Sequence, residues 1–170
     1  MIFYAHNTTD GYEPYVSDGT AEGTFMLKNI NAAGNSWISQ SQNAHLRFNA
    51  TSCFFIANNG TADALWRTDG TAAGTIQLTS DALNVSSGVS GGSYTDIDND
   101  GLWMIQYNSI GSGNAEKLYR SDGTASGTVL SKDLGFGLPK AHIGQMVANG
   151  SSMFHLLDHQ WYKSTGSTQG

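Results

Sequence analysis

One segment recurs along this chain: YVSDGTAEGTFMLK at 15–28, WRTDGTAAGTIQLT at 66–79, YRSDGTASGTVLSK at 119–132 and a shortened YKSTGSTQG at 162–170. Recurrence of this kind constrains the fold more than any other feature. Each copy is one supersecondary unit that cannot bury its apolar face alone, so neighbouring copies must stack. The aromatic residues that open the copies, Tyr15, Trp66, Tyr119 and Tyr162, lie 51, 53 and 43 residues apart. A period near 50 is that of four-stranded propeller blades.

The repeat extends upstream of the shared element. Met1 to Asn7 (MIFYAHN) lies 51 residues before Ser52 to Asn58 (SCFFIAN), and LWMIQYN at 102–108 and SMFHLLD at 152–158 take the same place later. These short aromatic and aliphatic runs, bounded by Gly, Asn and Asp, read as buried strands. A second strand carries the aromatic before the Ser/Thr-Asp-Gly element, and a third follows the second Gly-Thr. A fourth precedes the apolar run at Ala44 to Asn49, Tyr94 to Asp98 and His142 to Ala148. The Asp100-Gly101 and Asn149-Gly150 dipeptides are hairpin-turn signals after two of these strands. The expected fold is all-β: a propeller-like array of four-stranded antiparallel blades, with three, four, four and three strands in units at about 1–41, 42–92, 93–139 and 140–170. Closed propellers typically need about four to eight blades, so the expectation is a segment of a larger repeat protein.

Between two strands, the shared element has turn chemistry. Asp18, Asp69 and Asp122 can accept hydrogen bonds from backbone amides just beyond them. Gly19, Gly70 and Gly123 can take positive φ, and Thr20, Thr71 and Thr124 each add a hydroxyl. The fourth copy has Thr165 and Ser167 in place of Asp and Thr, so weaker side-chain bonding is expected there. The pattern W/Y-R-S/T-D-G-T-A-x-G-T resembles the repeat of bacterial ELWxxDGT-type proteins, with Leu65-Trp66 and Leu118-Tyr119 matching its Leu-Trp core. It also looks like the Asp-box of sialidase-type propellers. The first resemblance implies a β-propeller-like chain in an extracellular or cell-surface setting; the second implies that the boxes are structural and lie away from any catalytic centre.

Composition narrows the function classes. Eight Lys and Arg face 14 Asp and Glu, for a formal charge of −6, with no basic cluster to neutralise phosphates. Nucleic acid is therefore not an expected partner. Apolar runs of a few residues fall far short of the roughly 20 that a membrane helix needs. No leader pattern of basic, apolar and small-residue regions opens the sequence. The one cysteine, Cys53, sits in an apolar run and reads as an inert buried thiol. Asn-x-Ser/Thr occurs at Asn7, Asn49, Asn59, Asn84 and Asn149, which in a chain so rich in these residues reads as chance.

Few strings carry candidate chemistry. Asp96, Asp98 and Asp100, in DIDNDG, have the spacing of a calcium loop, although Tyr107 stands where such a loop would supply its glutamate; a plain hairpin turn is the alternative. His155 and His159 would converge on a metal only in a helix, and the repeat places them in a strand and a turn. Arg67 and Arg120 occupy equivalent positions and are candidates for binding an anionic ligand. Glu13, Glu22 and Glu116, the three glutamates, read as residues near strand starts or hairpin loops rather than a glycosidase pair. Trp66, Trp103 and Trp161 lie in expected strands and read as packing, whereas Trp37, between units, reads as a surface contact for a ligand.

Together these features point to a non-enzymatic extracellular or cell-surface repeat module for binding or structural presentation, with a protein or carbohydrate ligand and no required cofactor. Rigid units would present the connecting segments, such as 29–41 and 80–93. Two alternatives stay open: part of a sialidase-like or polysaccharide-acting propeller enzyme, and a calcium-stabilised adhesin repeat. Exposed strand edges on the end units would favour pairing with further blades or self-association.

Overall fold

The computed structural model describes residues 1–37, 46–79, 93–98, 101–110, 113–136, 146–149, 152–157 and 160–165. They form an all-β chain, with no helix among the described residues. The chain divides into two compact units, Met1–Leu83 and Asn84–Gly170, and each is taken by itself.

In the first unit, β1 (Ile2–Asn7), β2 (Gly11–Val16) and β3 (Phe25–Met26) form an antiparallel meander in that order. A second meander follows with β4 (Arg47–Phe48), β5 (Cys53–Asn58), β6 (Asp63–Thr68) and β7 (Ile76–Gln77). The apolar run seen in the sequence becomes β5, whose residues Cys53 to Ala57 are all buried. A strand buried on both faces reads as a continuous apolar run instead of an alternating one. Its cross-strand pairs Phe55↔Trp66 and Ala57↔Ala64 put four side chains on one face, where Ile30, Tyr4 and Leu46 pack against them. Tyr4 meets Phe55 edge to face at 6.3 Å and donates its hydroxyl to the Ile56 carbonyl at 3.1 Å. Burial, reinforced by the nearby Glu13 carboxylate, pushes the Tyr4 phenol up, so it stays protonated and can donate. Lys28 ties the sheets at another point: its ammonium donates to the Thr75 carbonyl at 2.9 Å and lies over the Trp66 ring.

In the second unit, β8 (Ser93–Asp98), β9 (Gly101–Ile110), β10 (Gly113–Ser121) and β11 (Val129–Phe136) form a four-stranded antiparallel meander. The register of β10 against β11 shifts between Glu116 and Lys117 and again between Leu118 and Tyr119. A three-stranded meander follows, with β12 (Met146–Asn149), β13 (Ser152–Leu157) and β14 (Gln160–Ser164). Leu118, Tyr119 and Met153 are buried. Trp161 departs from the packing role expected of it: it is 56% exposed on β14, which lies at a sheet edge.

The Asn-x-Thr pattern also has a structural reason that composition hides. Asn7 Oδ1 accepts from the amides of Thr9 and Asp10, Asn49 Oδ1 from those of Thr51 and Ser52, and Asn59 Oδ1 from those of Thr61 and Ala62. All three are Asx turns joining successive strands. Asn84 lies outside the described residues, and Asn149 ends β12. Cys53 is the buried thiol expected, its pKa pushed up to about 12 by burial.

Candidate functional site

The repeated Asp-Gly-Thr loops are closed hydrogen-bonding systems, built the same way in all three described copies. Asp18 Oδ1 accepts from the Thr20 amide at 2.9 Å and the Thr20 hydroxyl at 2.7 Å, and Thr20 Oγ1 in turn accepts from the Gly23 amide at 2.9 Å. A second relay runs alongside. Thr24 Oγ1 donates to the Thr20 carbonyl at 2.6 Å, which uses its single proton, so Ser17 must be the donor in the 2.6 Å Ser17–Thr24 contact. Ser17 Oγ then accepts from the Gly19 amide at 3.0 Å. Thr68 to Thr75 and Ser121 to Thr128 repeat both relays.

The two glycines of the element serve different needs. Gly19, Gly70 and Gly123 have φ of 98°, 91° and 90°, a conformation that side chains disfavour. Gly23, Gly74 and Gly127 are required by space, because a Cβ there would overlap the carboxylate of Asp18, Asp69 or Asp122. The hydroxyl at position 17, 68 or 121 and the final threonine were not assigned a role from sequence, yet they carry one of the two relays. Their signal was present in the strict Ser/Thr and Thr at these places in three copies. The fourth copy's Gly166 and Ser167 lie outside the described residues.

These donors hold the three aspartates below the usual carboxylate value of 3.8, chiefly through the Thr20 amide at Asp18 and through the Thr71 and Thr124 hydroxyls at the other two. A depressed folded-state pKa contributes stability that is complete above the unfolded value and lost as pH falls through the folded one. The thermal midpoint is therefore expected to drop as pH is lowered below about 4. Asp69→Asn, which keeps an acceptor but no titrating group, should have a shallower drop than the parent. Parallel curves in a pH series of melting experiments would contradict this assignment.

A different surface gathers aromatic side chains. His6 on β1 and Tyr12 on β2 are direct cross-strand partners, with ring centroids 4.8 Å apart. Trp37 continues the row, 5.1 Å from Tyr12. Tyr12 is 37% and Trp37 39% exposed, and His6 is exposed too. The row sits at the hairpin end of the sheet, and its backbone is strongly held. The Tyr12 carbonyl accepts from the Ser36 amide at 2.9 Å, the Ser36 hydroxyl at 3.1 Å and the Trp37 amide at 3.4 Å. The Tyr12 amide donates to Asn35 Oδ1 at 2.9 Å, and the Ser36 carbonyl accepts from the Asn58 amide of the next sheet at 2.9 Å. Ser36, fully buried, thus stitches the two sheets together directly before Trp37.

Glu13 anchors the start of the same connection. It is fully buried, and its two carboxylate oxygens accept from the amides of Ile30 (2.9 Å) and Asn31 (3.1 Å). Glu13 lies near the start of β2, as its sequence position suggests, and it faces amides 17 and 18 residues away, a distance that no local pattern reveals. The segment 29–41, expected to be a presented loop, is thus partly structural over its described residues 29–37, with Ile30, Asn31 and Ser36 buried and Trp37 exposed.

The remaining candidates are dispersed. Arg67 is half-buried on β6 and donates from Nε to Ser52 Oγ at 2.8 Å, so it serves its own sheet. Arg120, in the other compact unit, is half-buried on β10 and engaged within the protein. Asp96 and Asp98 fall within β8, and Asp98 pairs with Gly101 of β9; Asp100 lies outside the described residues. The hairpin alternative for DIDNDG fits that pairing. Among the described residues no cluster of three or more His, Cys, Asp or Glu could hold a metal, and no helix is long and apolar enough to cross a membrane. No protein-family model, curated protein or solved structure matches this chain.

Proposed function

We propose that this chain is a non-enzymatic binding module of an extracellular or cell-surface protein, built as a propeller-like array in which each meander sheet is one blade. The repeat spacing, the meander order of all four sheets and the internally bonded Asp-Gly-Thr loops support this reading. The observation that carries the binding role is the exposed pair of Tyr12, on β2, and Trp37, on a connection whose backbone is fixed by Ser36, Asn35 and Glu13. Large aromatic side chains held rigidly in solvent lose little entropy on contact with a ligand, which is why such residues dominate recognition surfaces. The loops, whose donors and acceptors satisfy one another, act as spacers.

The test is adsorption of the labelled protein to whole bacterial and animal cells and to insoluble polysaccharides. Saturable adsorption, with the ligand recovered at unchanged mass after prolonged incubation, is the expected result. Cleavage or modification of the adsorbed material would overturn the non-enzymatic role, and absence of saturable adsorption to every surface would overturn the binding role.

A further inference from the structure

The Asp-Gly-Thr loops carry a chemical liability along with their turn. Positive φ favours glycine at 19, 70 and 123, yet glycine after aspartate leaves the backbone open to rearrangement, because no side chain shields the glycine nitrogen. That nitrogen attacks the aspartate Cγ, and an N–Cγ bond forms as the amide proton and the carboxyl hydroxyl leave together as water. Water then opens the succinimide ring at either carbonyl, which restores aspartate or reroutes the main chain through the side chain as isoaspartate. An Asn-Gly pair closes the same ring with loss of ammonia. The repeat contains the labile pair at three described loops, and Asn59-Gly60 adds a fourth in the turn between β5 and β6.

We infer that the side chain directly before each of these pairs, that of Ser17, Asn58, Thr68 or Ser121, protects the backbone from succinimide rearrangement by holding the glycine N–H away from the neighbouring side-chain carbon. Gly19 donates to Ser17 Oγ at 3.0 Å, Gly70 to Thr68 Oγ1 at 3.0 Å and Gly123 to Ser121 Oγ at 3.1 Å. Asn58 does the same in a turn of unrelated sequence. Its Oδ1 accepts from the Gly60 amide at 2.8 Å, and its Nδ2 donates to Asp63 Oδ1 at 2.7 Å, which fixes the end of the side chain that faces Gly60. Two kinds of turn and three kinds of side chain thus make one contact, always to the nitrogen that would attack.

The carbon that would be attacked is held as well. Oδ1 of Asp18, Asp69 and Asp122 accepts from both the amide and the hydroxyl of the threonine two residues on, and Asn59 Oδ1 accepts from the Thr61 and Ala62 amides at 2.9 Å. The same donors keep the three carboxyls below their usual value, and an ionised carboxylate has no hydroxyl to lose as water. Asp10-Gly11 is held differently, at the hairpin between β1 and β2. There the Asn7 and Asn29 side-chain amides hold the two Asp10 oxygens at 2.9 and 2.8 Å, and Gly11 pairs with Asn7.

The test is prolonged incubation of the whole chain at neutral pH, folded and in denaturant, with isoaspartate at each loop and deamidation at Asn59 read by peptide mass spectrometry. The expected result is slower rearrangement at 18, 59, 69 and 122 in the folded chain than in denaturant. Ser17→Ala should speed isoaspartate formation at Asp18 roughly fivefold or more, the scale of one hydrogen bond, while Asp69 and Asp122 in the same molecule keep the parent rate. Ser17→Thr, the residue that the second copy uses, should retain protection. Thr24→Val separates capture of the amide from a general loosening of the loop, since it removes both bonds of the Thr24 hydroxyl and leaves Ser17 beside the Gly19 amide. Asp18 should stay close to the parent rate in that variant. Equal rates in the folded and denatured chain, no change in Ser17→Ala, or equal acceleration in Thr24→Val would each overturn the inference.

Discussion

Glu13→Ala should lower the unfolding free energy by about 3 kcal/mol, the cost of leaving two buried amides without their charged acceptor. Those amides belong to Ile30 and Asn31, at the point where the chain leaves the first sheet and enters the space beside the second. Ile30 is itself part of the Phe55–Trp66 cluster, so the loss should reach the packing between the sheets. Glu13→Gln is a sharper control than it looks. Its amide keeps one acceptor oxygen but turns an NH2 group toward the second backbone donor, so it should recover only part of the loss. Denaturant unfolding of the three proteins gives the energies, and hydrogen exchange at Ile30 and Asn31 locates them. Unchanged stability in Glu13→Ala, or full recovery by Gln, would show that the carboxylate does not anchor this connection.

Gly74→Ala is the second large effect, expected at about 2 kcal/mol as an overpacking cost. The added methyl overlaps the Asp69 carboxylate and must expel it, which breaks its bonds to the Thr71 amide and hydroxyl. The sign should reverse in an Asp69→Ala background. There the methyl has room, Gly74 is not in a positive-φ conformation, and replacing glycine restricts the unfolded chain. The same alanine is then neutral or stabilising. A double-mutant cycle in thermal unfolding measures the coupling. If alanine at 74 costs the same in both backgrounds, the glycine is there for its backbone and the carboxylate contact is incidental. Gly70→Ala, by contrast, should be harmful in either background because φ is 91° there.

Much of the strand layout is legible in the sequence because buried strands declare themselves locally. The runs at Met1 to Asn7 and Ser52 to Asn58 became β1 and β5, and the residues after the second Gly-Thr became β3, β7 and β11. The Asp, Gly and Thr of the loops could be assigned turn roles for the same reason: their partners lie two or three residues away. What stayed hidden depends on partners distant in sequence. Glu13 meets amides contributed by the following connection, Ser36 bridges Tyr12 to Asn58, and Lys28 reaches Thr75. Trp37 could be singled out as a surface residue because it lies outside the strands, but its company could not. His6 and Tyr12 join it only through the β1–β2 register and the fold of the connection. Trp161 marks the opposite limit, since a strand position implies burial only where something covers that strand.

The binding role and the structural role of the loops meet in one experiment, an amide-resolved NMR titration of the isotope-labelled chain with soluble fragments of the surface to which it adsorbs. The expected shifts cluster at His6, Tyr12 and 34–37, while residues 17–24, 68–75 and 121–128 of the three Asp-Gly-Thr loops stay in place. Shifts centred on those loops, or none anywhere, would contradict the division of labour between a structural repeat and an aromatic binding row.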